Sequence, residues 1–232
     1  MGFLNEWLIF SLILFGIWLI IFIFIKNRKE MFYVSLFTMP FGLTEPLFVP
    51  EYWNPPSLFN LAAKTGFDIE SLIFCFATGG IVSVVYELFF MVKHKKMSRL
   101  EINHKRHKFH SLILVSFPII FLVLYFFSNL NPIYSAIISM LIFSILTLLC
   151  RPDLKKKILL SGILFLIVYF LFFLSFNIIY PYAVERFWNL SVLSGILILE
   201  IPLEELIFAF SFGLSWGSIY EYIKWYKLKE VN

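Results

Sequence analysis

The sequence predicts an all-α integral membrane protein: seven transmembrane helices, laid out as two parallel three-helix repeats joined by a linking fourth helix. Three observations predict it. Apolar residues make up 60% of the 232 and charged residues 15%, against about 45–50% and about 25% in ordinary globular chains. Uncharged runs repeatedly reach the roughly 20 residues that cross a bilayer. One carboxylate-bearing stretch occurs twice. A water-soluble fold of this size cannot hide so much apolar surface, so lipid is the main solvent. This excludes a secreted disulfide scaffold, a disordered tail, a nucleic-acid-binding domain and a two-domain cytosolic enzyme. Residues 1–232 are expected to form a single membrane domain.

The spans follow in order. Trp7 to Ile25 is the first, and Met31 to Pro50, interrupted by Glu45, the second. Ile69 to Val92 is the third and carries Glu70 and Glu87. Ser111 to Cys150 runs 40 residues without a charge, too long for one span. It breaks at the turn-forming Ser128-Asn129-Leu130-Asn131-Pro132, giving the fourth and fifth. Ile158 to Tyr180 is the sixth and Ile201 to Trp225 the seventh; Phe187 to Glu200 is too short to cross and reads as interfacial. Cys75 and Cys150 both lie in apolar runs, where a buried thiol is the ordinary state.

Basic residues orient the spans. Segments 26–30, 93–109, 151–157 and 224–230 hold 3, 7, 4 and 3 Lys or Arg, 17 of the 19. The other connections hold only Lys64 and Arg186. Strict alternation places the N-terminus outside and the C-terminus in the cytoplasm of a multi-pass plasma-membrane protein. The N-terminal flank, Met1 to Glu6, has no basic residue and no small-residue cleavage site follows, so the first span reads as a retained helix. His104, His107 and His110 share the richest basic loop. Histidines three apart could share a helical face and bind metal, but no carboxylate accompanies them, and the loop reads as a surface touching anionic headgroups. No metal and no cofactor are expected.

Residues 69–87, IESLIFCFATGGIVSVVYE, align with 203–221, LEELIFAFSFGLSWGSIYE, with eight of nineteen positions identical. Upstream, Glu51-Tyr52-Trp53-Asn54 answers Glu185-Arg186-Phe187-Trp188-Asn189 with a one-residue slip. This implies a duplication: residues 7–92 form repeat 1, 93–131 the basic loop and linking helix, and 132–226 repeat 2. Three spans alone would invert the second copy; the fourth restores parity and makes the repeats parallel. Glu70 and Glu204 then lie at one depth. Glu87 and Glu221 lie seventeen residues on, about 25 Å along a helix, as a second carboxylate layer expected to anchor helix ends beside Lys93 and Lys224.

A charged group deep in a membrane helix costs about 2.5–3.5 kcal/mol and usually marks function. The candidates are Glu45, Glu70, Glu204 and Glu205, set in aromatic surroundings. Glu51, Glu185 and Glu200 read as interfacial, and Asp68 serves equally well as the N-cap of the third span. The spans hold no nucleotide loop, nucleophile elbow or histidine, and no mid-membrane lysine for a retinal Schiff base. Acid–base chemistry on a lipid remains. A neutral carboxyl protonates an alkene, aromatic faces stabilise the cation, and a second carboxylate removes a proton.

At these residues the chain resembles a known family. Pro202-Leu203-Glu204-Glu205, followed by Leu206-Ile207-Phe208, is similar to the Pro-x-Glu-Glu motif of the small membrane lycopene cyclases, the heterodimeric-type β-cyclases, whose domain often occurs twice in one chain. The resemblance covers both repeats, including Trp53 and Trp188. The first copy departs from it, reading Phe67-Asp68-Ile69-Glu70-Ser71, so only Glu70 matches there. The resemblance implies redox-neutral cyclisation of a carotenoid-like polyisoprenoid, an isomerase-type reaction. Glu204 and Glu205 would form the acid pair, with Glu70 and Glu45 as base or supporting acids. Phe74, Phe208, Trp53, Trp188, Asn54 and Asn189 are the candidate substrate contacts. Expected partners are the lipophilic substrate and membrane lipid, with no nucleic acid, and a second copy or other isoprenoid enzymes as associates. Two alternatives stay open: a small-solute transporter with the same 3+1+3 layout, and a non-catalytic subunit of a biosynthetic complex.

Overall fold

The computed structural model describes residues 5–230; the remaining N-terminal flank, residues 1–4, and the last two residues lie outside it. Helix α1 (Glu6–Phe24) starts under Asn5, whose side chain accepts the Leu8 N–H at 2.6 Å, one of the donors a helix start leaves unpaired. Helix α2 (Arg28–Thr38) runs directly into a 3-10 helix, Met39–Leu47. Pro40 and Pro46 lie in that stretch and lack the N–H an α-helix needs. A loop containing the short α3 (Leu61–Thr65) leads to α4 (Ile69–Phe89). Asp68 is its N-cap, accepting the Ser71 amide at 2.5 Å.

Strand β1 (Val92–Lys96) and the capped turn α5 (Arg99–Ile102) follow. The linking helix is α6 (His110–Phe127). Helix α7 (Pro132–Cys150) begins at the Asn-Pro turn, and α8 (Lys155–Ile179) follows. Helix α9 (Ala183–Phe187) and a tight hairpin of β2 (Leu197–Ile198) and β3 (Ile201–Pro202) fill the next connection. Its turn residues Leu199 and Glu200 both take positive φ, as a type I′ two-residue hairpin requires. Helix α10 (Leu203–Trp216), α11 (Ile219–Lys224) and β4 (Tyr226–Glu230) complete the chain, β4 pairing antiparallel with β1.

Among the described residues, five helical segments are long and apolar enough to cross a membrane: α1, α4, α6 with its lead-in, α7 and α8 with its lead-in. The second and seventh sequence spans differ from expectation. Residues 31–50 change from α to 3-10 winding at the prolines. Residues 201–225 open on a strand and break at Gly217-Ser218.

Helix α4 packs on α1, on α2 and on the 3-10 segment, while α10 packs on α7 and α8. Glycine lets both α4 and α10 approach their neighbours closely. A Cβ on Gly79 would lie 2.3 Å from the Thr38 hydroxyl of α2, and one on Gly213 would lie 2.6 Å from the Ser161 carbonyl of α8. The halves meet where α4 packs on α8, and in a backbone clasp between their connections. Trp53 and Trp188 form an antiparallel bridge. The Asn54 N–H donates to the Phe187 carbonyl at 2.7 Å and the Asn189 N–H to the Tyr52 carbonyl at 2.9 Å.

At the opposite end, five charged or titratable groups converge. The Lys157 ammonium donates to Glu30 at 3.0 Å, Glu87 at 2.7 Å and Glu221 at 2.6 Å, and its side chain is fully buried. His94 Nε2 lies 2.7 Å from the same Glu221 oxygen. Glu87 and Glu221 therefore anchor on Lys157 and His94, not on Lys93 and Lys224 as expected. Lys93 points outward, and the Lys224 ammonium sits 4.0 Å from the centre of the Tyr33 ring.

Candidate active site

The connections and helix starts opposite the Lys157 cluster bring the sequence-selected acids into one layer but not into one pocket. Glu204 and Glu205 are neighbours in sequence, and a helix turns successive side chains about 100° apart. They consequently part company. Glu205 points between the halves and is 5% exposed. Its carboxylate accepts from the Tyr52 hydroxyl, from Trp188 Nε1 at 2.8 Å and from the Tyr169 hydroxyl at 2.7 Å. Trp188 Nε1 also lies 3.1 Å from the Tyr52 oxygen. Three donors on one carboxylate is the pattern expected of an ionised acceptor. Burial, with Glu205 beside it, drives the Tyr52 phenol well above its ordinary pKa, so it keeps its proton.

Glu204 and Glu70 do a different job, and the same one. Glu204 accepts the Ser194 amide at 2.8 Å and the Tyr134 hydroxyl of α7 at 2.6 Å. Glu70 accepts the Leu58 amide at 2.6 Å and the side chain of Asn5, the cap of α1, at 3.0 Å. Each straps the preceding loop to an earlier helix, Glu204 to α7 and Glu70 to the cap of α1. These are positioning contacts, and neither residue lines the large cavity described next.

That cavity, of about 280 Å³, opens between the 3-10 segment, α4, the linking helix α6, α7 and α10. Phe41, Phe48, Phe117, Phe121, Phe208, Phe212 and Trp216 supply aromatic walls, with Ile133, Ala136 and Met140 on the α7 side. Trp216 is held in place by donating to Thr38 at 2.8 Å and stacking on Phe212 at 5.6 Å between centroids. Among the lining residues Glu45 is the only carboxyl. It is 7% exposed, and one of its oxygens is buried with no hydrogen-bond partner. Its place in the wall follows from the proline-bounded 3-10 turn, where Gly42 lets the segment press on the Ser71 backbone of α4: a Cβ there would lie 2.7 Å away.

A second, smaller cavity of about 50 Å³ lies against Glu205, lined by Trp7, Phe10, Phe74, Tyr169 and Trp188. Tyr52 and Trp53 line both cavities and form the partition between them. Of the expected substrate contacts, Phe208 faces the large cavity, Phe74 and Trp188 the small one, and Trp53 both. Asn54 lines neither, and Asn189 lines a more open polar recess of about 610 Å³ with Glu51, Asn129 and Asn131; the amides of both close the clasp.

Sequence reasoning passed over Tyr52 and Tyr169. Both left signals: Tyr52 sits inside the matched Glu-Tyr-Trp-Asn segment, and Tyr169 is a lone phenol midway along an apolar span. Asp68, kept open as a site residue, spends its carboxylate on capping α4, and burial raises its pKa despite the Ser71 hydrogen bond. Glu51 stays exposed, as an interfacial residue should.

Comparison with known proteins agrees with this half of the molecule. The family model described as lycopene cyclase matches residues 131–223, from the turn before α7 to α11. No curated protein and no solved structure matches the chain. The match contains the Pro202-Leu203-Glu204-Glu205 motif, Tyr169, Trp188 and one wall of the large cavity. With five helices among the described residues able to cross a bilayer, the chain is a membrane protein, and its residues 131–223 are similar to the lycopene cyclase family.

Proposed function

We propose that the chain is a membrane-embedded cyclase of linear, carotenoid-like isoprenoids, lycopene among them, working by carboxyl acid–base chemistry with no net redox change. The observation that carries the reading is the aromatic cavity whose lining holds one carboxyl, Glu45. Charging a lone carboxyl among aromatic rings is costly, so Glu45 enters the reaction protonated. It gives its proton to the terminal alkene of the substrate, and the π electrons of a second alkene close the ring. The resulting cation is stabilised by the faces of Phe and Trp side chains. The Tyr52 oxygen then takes a proton from the neighbouring carbon as its own proton passes to Glu205. One proton enters and one leaves, so the product is an isomer of the substrate. Glu204 and Glu70 hold the loops that frame the site.

In this reading residues 7–92 and 132–226 are two copies of one domain, joined through 93–131 and related by an axis along the membrane normal. Eight identities over nineteen positions, the equivalent glycines and the Trp53–Trp188 clasp support it. The basic end faces the cytoplasm of a plasma-membrane protein, by the distribution of Lys and Arg. A carrier of polar solutes would need a polar path, whereas the large cavity is walled by aromatic and aliphatic groups.

The test is expression in a lycopene-producing bacterium, with chromatography of the pigments. Cyclised product is expected; unchanged lycopene, with the protein folded in the membrane, overturns the proposal. Glu45→Gln should abolish turnover, and Tyr52→Phe or Glu205→Gln should lower it about 10²–10⁴-fold, the usual contribution of a general acid or base.

A further inference from the structure

The end of the molecule opposite the acid layer carries a feature that cyclisation does not use. Strands β1 and β4 pair in antiparallel register, with Lys93 opposite Lys229 and Lys95 opposite Lys227. Partners in an antiparallel ladder share a face, as do residues two apart on one strand. All four lysines therefore lie on one face of the ribbon. The other face turns His94 toward Glu221 and Glu30, with its ring 5.3 Å from that of Tyr226, and so is seated on the bundle.

Like charges directly opposite each other weaken a sheet. The protein offsets one of the two pairs by an ion pair from Lys227 to Glu101. Lys93, Lys95 and Lys229 are exposed and have no carboxylate partner among the described residues. A four-lysine face with one acid at its edge is short of negative charge.

We propose that this ribbon is a binding surface for anionic phospholipid headgroups. Lipid is the occupant the position selects. Lys93 follows by four residues the end of α4, a helix long and apolar enough to cross the bilayer, so its long stem reaches the headgroup layer. The residues leading into the ribbon, Phe89 and Met91, are 64% and 75% exposed and supply the apolar contact a bilayer edge offers. The expected gain is about fivefold in affinity per lysine near an anionic surface, so roughly a hundredfold for the three unpaired ones.

The experiment uses the full chain in detergent, titrated with phosphatidylglycerol or phosphatidylcholine and read by native mass spectrometry. Phosphatidylglycerol should bind in preference. The Lys93→Gln/Lys95→Gln/Lys229→Gln variant should lose roughly a hundredfold, while the matching Lys→Arg variant keeps the affinity. Lys105→Gln/Arg106→Gln/Lys108→Gln removes equal charge from the neighbouring loop, which also meets the headgroup layer but not as one four-lysine face, and should cost less than the ribbon variant. Inorganic phosphate at millimolar concentration should not compete. Equal binding of the two lipids, an equal loss in the loop variant, or a loss in the arginine variant overturns the proposal. Displacement of the lipid by a polyglutamate peptide would do the same, assigning the face to an acidic protein.

Discussion

Replacing Lys157 by methionine tests the inner charge cluster most directly. The ammonium is fully buried and lies 3.0, 2.7 and 2.6 Å from three carboxylates supplied by α2, α4 and α11. Methionine keeps the volume and removes the charge, leaving three acids facing one another with His94 beside Glu221 and Glu30. Breaking a buried ion pair in this one-sided way costs about 3–5 kcal/mol. For a chain of this length each kcal/mol lowers Tm by about 2–4 °C, so the loss is about 6–20 °C. The assay is heating in detergent followed by size-exclusion chromatography of the surviving fraction. Lys93→Met, on the exposed face of β1, is the control and should change stability by less than about 0.5 kcal/mol. Glu30→Lys combined with Lys157→Glu exchanges the partners while keeping the cluster's composition, and should recover more than half of the loss. A Lys157→Met protein that melts within a degree of wild type would refute the reasoning. A double exchange no better than the single variant would show that shape, not charge, sets the cost.

Other outcomes follow from the packing and the site. Gly79→Ala and Gly213→Ala each force a methyl group against Thr38 or the Ser161 carbonyl and should each destabilise by about 1–3 kcal/mol, measured by the same heating assay. Ala136→Phe fills the large cavity from α7 and should remove turnover while the protein still inserts and remains monodisperse; turnover at the wild-type rate would place the reaction elsewhere. Glu204→Gln should leave measurable turnover and lower Tm, since it weakens the strap to Ser194 and Tyr134. The Glu101 carboxylate, held down to about 2 mainly by its hydrogen bond from Lys227, sits below the ordinary value of about 4.3. A lowered folded pKa gives order that is complete above the unfolded pKa and lost as pH falls through the folded one. The protection factors of the β4 amides, with the intrinsic pH dependence of exchange divided out, should therefore be unchanged from pH 7 to 5 and fall between about pH 4 and 2.

The membrane class was legible in composition, because no soluble fold can bury 60% apolar residues. Both carboxylate layers were legible as interruptions in apolar runs, and Asp68 as a cap was legible from its place before α4. The roles within the layers were not. Glu204 and Glu205 are adjacent in sequence and read as a pair, yet helical geometry turns one to the α7 loop and the other to the partition between the halves. Glu45 read as a lesser partner because its span looked uniform; only the 3-10 winding set by Pro40 and Pro46 presents it to the large cavity. Lys157 read as one more cytoplasmic charge because sequence distance cannot show that Glu30, Glu87 and Glu221 close around it.

Hydropathy, charge placement and internal similarity are properties of the chain taken in order. By themselves they determined that this is a helical membrane protein, where its helices begin, and which acids are exceptional. The cavity between the halves, the Tyr52 and Tyr169 donors on Glu205 and the lysine at the centre of the inner acids join residues more than thirty positions apart. Only the tertiary structure decided them, because contact across packed helices depends on rotation and register that no local pattern encodes.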